Sequence, residues 1–256
     1  MSKVRTLILR APGTNCDVET VFAFQEAGAE VASVHINELI HQQQRLSDYQ
    51  IMVIPGGFTY GDDIAAGKVL ANELRLKLGQ DILRFVENGG LILGICNGFQ
   101  VLARAGILPE PSLSRSPRLT LWANDSGRFE CRWVYLEVNK ESPCIFTKGM
   151  DSIYLPVAHA EGKVVAESEV LPELNVVLHY TDEYGNSQTG YPYNPNGSVG
   201  NIAGICDASG RVFALMPHPE RHIRGTQHPN WTRQGAKKYG DGFPIFLNAV
   251  RWAKNL

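Results

Sequence analysis

The chain has 256 residues, 44% of them hydrophobic, and 24 Lys and Arg against 26 Asp and Glu give a net charge of -2. This ordinary globular composition supports one large domain or two small ones, and it carries no basic footprint for nucleic acid or a membrane surface. No apolar run nears the roughly 18 residues a membrane-spanning helix needs, and five cysteines without a C-x-x-C pair argue against zinc sites and disulfide scaffolds and for reduced thiols in the cytoplasm.

In chain order, "VRTLILR" (4–10) predicts a strand. "DVETVFAFQEAG" (17–28) predicts a helix capped by Asp17 and stopped by Gly28. "EVASVHI" (30–36) is a strand, and the Gln-rich stretch 37–46 continues as a polar helix. "YQIMVIPGG" (49–57) reads as a buried strand running into a glycine loop, followed by a helix over 68–88. Leu91–Ile95 is an apolar run of a strand buried on both faces. After it the period changes: Phe99, Val101, Leu102 and Ala105 fit one side of a helix that Gly106 and Pro109 end. Alternating strands and helices imply a parallel sheet with helices on both faces and ligands beyond the carboxyl ends of its strands. The second half is less regular. Strands are expected at 129–138, 175–180 and 211–217, a turn at 194–198, a loop over 224–242 and a last helix from 243.

Cys96 sits at the joint between the buried strand and the next helix. Gly94-Ile95-Cys96-Asn97-Gly98 has the form of a nucleophile elbow. A sharp turn there pushes the side chain into the open, the helix N-terminus favours a thiolate, and the N–H of Asn97 faces any oxyanion on the attacked carbon. The bland alternative is a small core residue between two packing glycines. A thiol nucleophile needs a base and an orienting group. His218 follows a buried strand in "ALMPHPERH", with prolines on both sides, and Glu220 is placed to hold its tautomer. A metal pair from His218 and His222 is disfavoured by Pro219 and by the want of a third ligand. Gly56 and Gly57, at another strand end, can offer main-chain donors. The phosphate-loop patterns are missing, so no nucleotide site is expected in this chain. Cys131, Cys144 and Cys206 read as structural thiols, and Cys16 as a packing or subunit contact.

"GICNGFQ" with "MPHPER" resembles the class I, triad-type glutamine amidotransferases. "APGTNCD", "GGFTYGDD", "SGRFECRWV", "AHAEGK" and "NPNGSVGNIAGICDASGRVFALMPHPER" narrow the resemblance to the glutaminase subunits of phosphoribosylformylglycinamidine synthases. It implies a flavodoxin-like, doubly wound α/β fold, 1–256 as a single glutaminase domain, and hydrolysis of L-glutamine to glutamate and ammonia. It implies Cys96 as nucleophile, His218 as acid and base, Glu220 as its orienter, an oxyanion hole from Gly57 or Phe58 with Asn97, and Gly56, Gln100, His159 and Glu161 near bound glutamine. It implies a synthetase subunit as partner, with place for a small third subunit, that uses the ammonia for formylglycinamidine ribonucleotide in purine synthesis. ATP and Mg2+ are expected there, and no cofactor or metal in this chain. Position 11 is Ala where the family often has an aromatic, and 224–242 is longer than a minimal subunit needs. The rival readings are a stand-alone thiol hydrolase and a subunit serving another synthetase.

Overall fold

The computed structural model describes residues 3–112, 118–235 and 237–256. The first strands are short and, Thr6 apart, apolar inside: β1 (Arg5–Arg10), β3 (Ile51–Ile54) and β4 (Leu91–Ile95), with β2 (Glu30–His35) at the edge. They pair in parallel, β2 and β3 flanking β1 and β4 beside β3. The chain therefore steps one way from β1 to β2 and then back the other way. Right-handed crossovers place the helices before and after that reversal on opposite faces. On one face lies α1 (Asp17–Glu26), packed on α7 (Phe243–Ala253) through Phe24 and Phe246, whose ring centroids are 5.0 Å apart. On the other lie α3 (Lys68–Glu73), α4 (Gly79–Glu87) and α5 (Asn97–Ala105).

Among the described residues nine strands form the main sheet, in the order β2-β1-β3-β4-β11-β10-β9-β6-β7. β11 (Val212–Leu215) joins β4 in parallel, and β10 (Ile202–Cys206), β9 (Asn175–Thr181), β6 (Glu130–Val138) and β7 (Ser152–His159) then pair antiparallel. β5 (Leu119–Trp122) and β8 (Lys163–Ala166) make a separate ribbon. The antiparallel half curls, because the N–H of His218 after β11 donates to the Pro156 carbonyl on β7 at 2.8 Å. Proline is tolerated in β7 because that strand is an edge.

Several expectations change. Asp17 does not cap α1: Cys16 holds the cap position with no side-chain bond, and Asp17 instead meets Arg10 at 2.8 Å. The Gln-rich stretch is helical only over α2 (Ile36–Ile40), ending before Gln42 at φ 56°. The helix expected over 68–88 is wound wider across Leu74–Leu78. Cys131 is exposed, so it is not a packed thiol, whereas Cys144 and Cys206 are buried. The 224–242 stretch contains a short helix, α6 (Trp231–Gln234); its residue 236 lies outside the described residues.

Candidate active site

The carboxyl ends of the parallel strands β1, β3, β4 and β11 share one edge of the sheet, beside the reversal of strand order between β1 and β3 where such sheets hold ligands. Cys96 follows β4 with φ 51° and ψ -105°, a conformation that costs a non-glycine residue on the order of 1 to 3 kcal/mol. The neighbours hold it there. Its N–H donates to Leu215 at 2.8 Å, and its carbonyl accepts from Phe99 and Gln100 as α5 begins. A Cβ at Gly98 would lie 2.0 Å from the Ile54 carbonyl oxygen, so only glycine lets α5 start this close to β3. The elbow thus has a structural cause in its glycines and leaves the Cys96 sulfur 3.7 Å from the Ala158 carbonyl oxygen.

His218 and Glu220 come to the same place. Their side chains are buried, and His218 Nδ1 bonds Glu220 Oε1 at 2.6 Å. His218 Nε2 and Glu220 Oε2 have no protein partner among the described residues. Burial pulls the His218 pKa down, but the Glu220 carboxylate and the charge at Cys96 more than reverse this and hold the imidazolium well above its usual range.

Cys16 is placed differently from the expectation of a packing or subunit contact. Arg221 Nη2 donates to its sulfur at 3.1 Å, and its ligand atom lies within 4.8 Å of those of His218 and Glu220. His222, weighed as a metal partner of His218, bonds the Tyr154 carbonyl instead, at 2.8 Å.

The glycine loop after β3 needs a correction. The N–H of Phe58 donates to Gly13 at 3.0 Å, because the loop bridges to the segment after β1, so Phe58 is not a free oxyanion donor. Its side chain is exposed. The N–H groups of Gly57 and Asn97 make no bond to the protein among the described residues. Gly56 packs on the imidazole: a Cβ there would sit 2.8 Å from His218 Cε1.

The remaining expected contacts form a strut. Asn97 Oδ1 accepts from Thr59 Oγ1 at 2.7 Å, and Asn97 Nδ2 donates to Gln100 Oε1 at 2.8 Å. Gln100 Nε2 donates to the Glu161 carbonyl at 2.5 Å, and the Glu161 carboxylate meets Arg104 at 3.0 Å. The side chains of Gln100 and Glu161 thereby tie the 159–162 segment to α5. His159 is buried with Nδ1 on Asn124 Oδ1 at 3.1 Å. Sequence reading missed Thr59, Asn124, Tyr180 and the buried side chains of Asn194, Asn196 and Ser198. The only signal for the last three was a polar "NPNGS" whose asparagines bond inward rather than to water.

Residues 3–253 match the family described as CobB/CobQ-like glutamine amidotransferase domain. The phosphoribosylformylglycinamidine synthase subunit PurQ of Dehalococcoides mccartyi is 60% identical over 256 residues, all of both chains. The PurQ of Archaeoglobus fulgidus is 44% identical, covering 99% of this chain and 98% of that one. A solved chain from the structure of PurLQS from Thermotoga maritima superposes with a TM-score of 0.74 at 32% identity, with 98% of each chain covered. Among the described residues no helix is long and apolar enough to cross a membrane.

Proposed function

Because the chain belongs to the CobB/CobQ-like glutamine amidotransferase family, we propose that it is the glutaminase subunit of a phosphoribosylformylglycinamidine synthase and that Cys96, His218 and Glu220 release ammonia from L-glutamine. The observation that carries the triad is the strained Cys96 beside an imidazole that is bonded at 2.6 Å to a buried carboxylate. The Cys96 thiolate attacks the side-chain amide carbon. The oxyanion that forms is met by the N–H groups of Gly57 and Asn97, each worth on the order of 3 kcal/mol in the transition state. The His218 imidazolium then gives its proton to the departing nitrogen. Ammonia leaves, and a thioester remains on Cys96. Water, losing a proton to His218, hydrolyses the thioester to glutamate and restores the thiolate and imidazolium pair. Glu220 holds the ring and balances its charge throughout.

Glutamine lies against Gly56 and the 159–162 segment, with Gln100 and Glu161 setting the position of that segment through the strut. The relatives are named as synthase subunits, and the similar solved chain comes from a structure named PurLQS. These names support a partner synthetase that takes up the ammonia, with a small third subunit beside it; ATP and Mg2+ on that partner belong to the proposal alone. The test is Cys96→Ser in the assembled enzyme. Glutamine-dependent synthesis should be lost while synthesis from added ammonium chloride persists. Normal glutamine hydrolysis by that variant would refute the assignment.

A further inference from the structure

Two buried polar groups near Cys96 make and break no bond in these steps. Tyr180, on β9, is fully buried. Its oxygen accepts from Asn196 Nδ2 at 3.2 Å, and among the described residues nothing accepts its proton. The direction of that bond is fixed. Asn196 Nδ2 also donates to the Gly162 carbonyl at 2.8 Å, while Asn196 Oδ1 accepts from the N–H and the hydroxyl of Ser198.

His159 is the complement. Asn124 Nδ2 donates to the carbonyls of Arg128 and His159, so Asn124 Oδ1 can only accept, and His159 Nδ1 must carry the ring proton. His159 Nε2 is then a bare acceptor, buried and without a partner. Gly162 links the two groups, to Tyr180 through Asn196 and to His159 directly. Its carbonyl binds the same Asn196 nitrogen that holds Tyr180, and its α-carbon lies on the His159 ring, where a Cβ would be 2.7 Å from Nε2. Both groups sense the triad. After burial, the charge of His218 lowers the His159 pKa, to about 3 in all, and the charge at Cys96 adds to the burial that raises Tyr180.

We propose that the Tyr180 hydroxyl and His159 Nε2 form a receiving site for the ammonia released at Cys96, a proposal that rests on the glutaminase reading above. Ammonia has one lone pair and three N–H bonds, so it accepts from Tyr180, donates to His159 and satisfies both. Ammonium has no lone pair for the Tyr180 hydroxyl, so the pair selects the neutral molecule. A neutral His159 has no Nε2 proton to give. Ammonia held there stays a nucleophile for the next reaction.

The test uses the assembled enzyme and Tyr180→Phe, which keeps the ring and removes the donor. The reading is amidine formed per glutamate released from glutamine, with synthesis from added ammonium chloride as the check on assembly. One lost hydrogen bond weakens occupancy about threefold to tenfold, so the ratio should fall about threefold or more and free ammonia should appear. An unchanged ratio overturns the proposal. So does a fall in glutamate release with the ratio kept, since the hydroxyl would then serve hydrolysis. A measurement without substitution guards against misfolding. Ammonia titrated into the wild-type chain at alkaline pH should shift the 15N signal of His159 Nε2, whereas sodium chloride should not. No shift at saturating ammonia also overturns the site. If the wild-type assembly releases no glutamate from glutamine, the glutaminase reading fails, and the 15N shift still judges the ammonia site.

Discussion

Gly98→Ala should disable the site without touching any reacting group. The added Cβ would lie 2.0 Å from the Ile54 carbonyl oxygen and 2.9 Å from its carbon, about 1.4 Å short of the 3.4 Å at which ordinary contact begins. Neither neighbour can yield easily. Ile54 ends β3 and is in register with Gly94 of β4, and α5 is buried along its whole length. The first turn of α5 must therefore lift from β3 by about an ångström, carrying the N–H of Asn97 away from that of Gly57. Overpacking of this kind costs roughly 1 to 3 kcal/mol of stability, and an ångström of misplacement costs on the order of 100-fold in rate. The assay is steady-state glutamine hydrolysis by the assembled enzyme, with thermal melting alongside. Gly190→Ala, where a Cβ meets nothing within 4 Å, is the control. A Gly98→Ala enzyme with kcat within about twofold of wild type would refute the close approach of α5 to β3 as the support of the elbow.

Glu220→Gln should lower kcat on the order of 100-fold with little change in KM, because it weakens His218 as an acid and base and leaves the glutamine contacts intact; a rise in KM alone would mean that Glu220 binds substrate. His159 ties stability to acid. Its folded pKa of about 3 lies below the unfolded value near 6.5, so its contribution is fully present above pH 6.5 and is lost as pH falls toward 3. His218 works in the opposite sense: its contribution is full below pH 6.5 and is lost as pH rises through its elevated folded value. His159→Asn should therefore reduce the loss of urea stability between pH 7 and 5 by about 2 kcal/mol, and an unaltered pH slope would contradict a neutral buried ring. The isolated chain should hydrolyse glutamine poorly and speed up when its synthetase is added, because the loop beside Gly57 exposes Phe58 and Ile64 and holds Tyr60 and Asp62 at positive φ; full activity alone would refute coupling.

The parallel half of the sheet was legible because its signals are local. "LILGICNG" carries its strand, its turn and its helix start within eight letters, and Cys96 takes the strained angle that such a turn demands. The pairing of His218 with Glu220 was legible for the same reason, two residues apart between prolines. What stayed hidden depends on distant partners. Cys16 has no base near it in sequence, yet Arg221 and His218 reach it across the sheet. Phe58 was an equal alternative to Gly57 until the Gly13 carbonyl was seen to occupy its N–H. β7 escaped because Pro156 interrupts a strand pattern that only an edge position excuses, and β5, β8 and β10 are runs of only four or five residues.

The curl that sets the Pro156 carbonyl against His218 also dictates when activity can arise during folding. The sulfur of Cys96 meets Ala158, 62 positions later, and Arg221 meets Cys16, 205 positions earlier. Such long-range closure is slow, since loop entropy must be overcome before these contacts form. A nascent chain can pack β4 and α5 on β3 while Leu215, which holds the Cys96 N–H, and His218 are still unsynthesised, and a thiol without its imidazole is inert toward an amide. Refolding should accordingly bury the β1–β4 core first and recover glutamine hydrolysis only as the last strand docks. A growing or half-folded polypeptide then releases no stray ammonia.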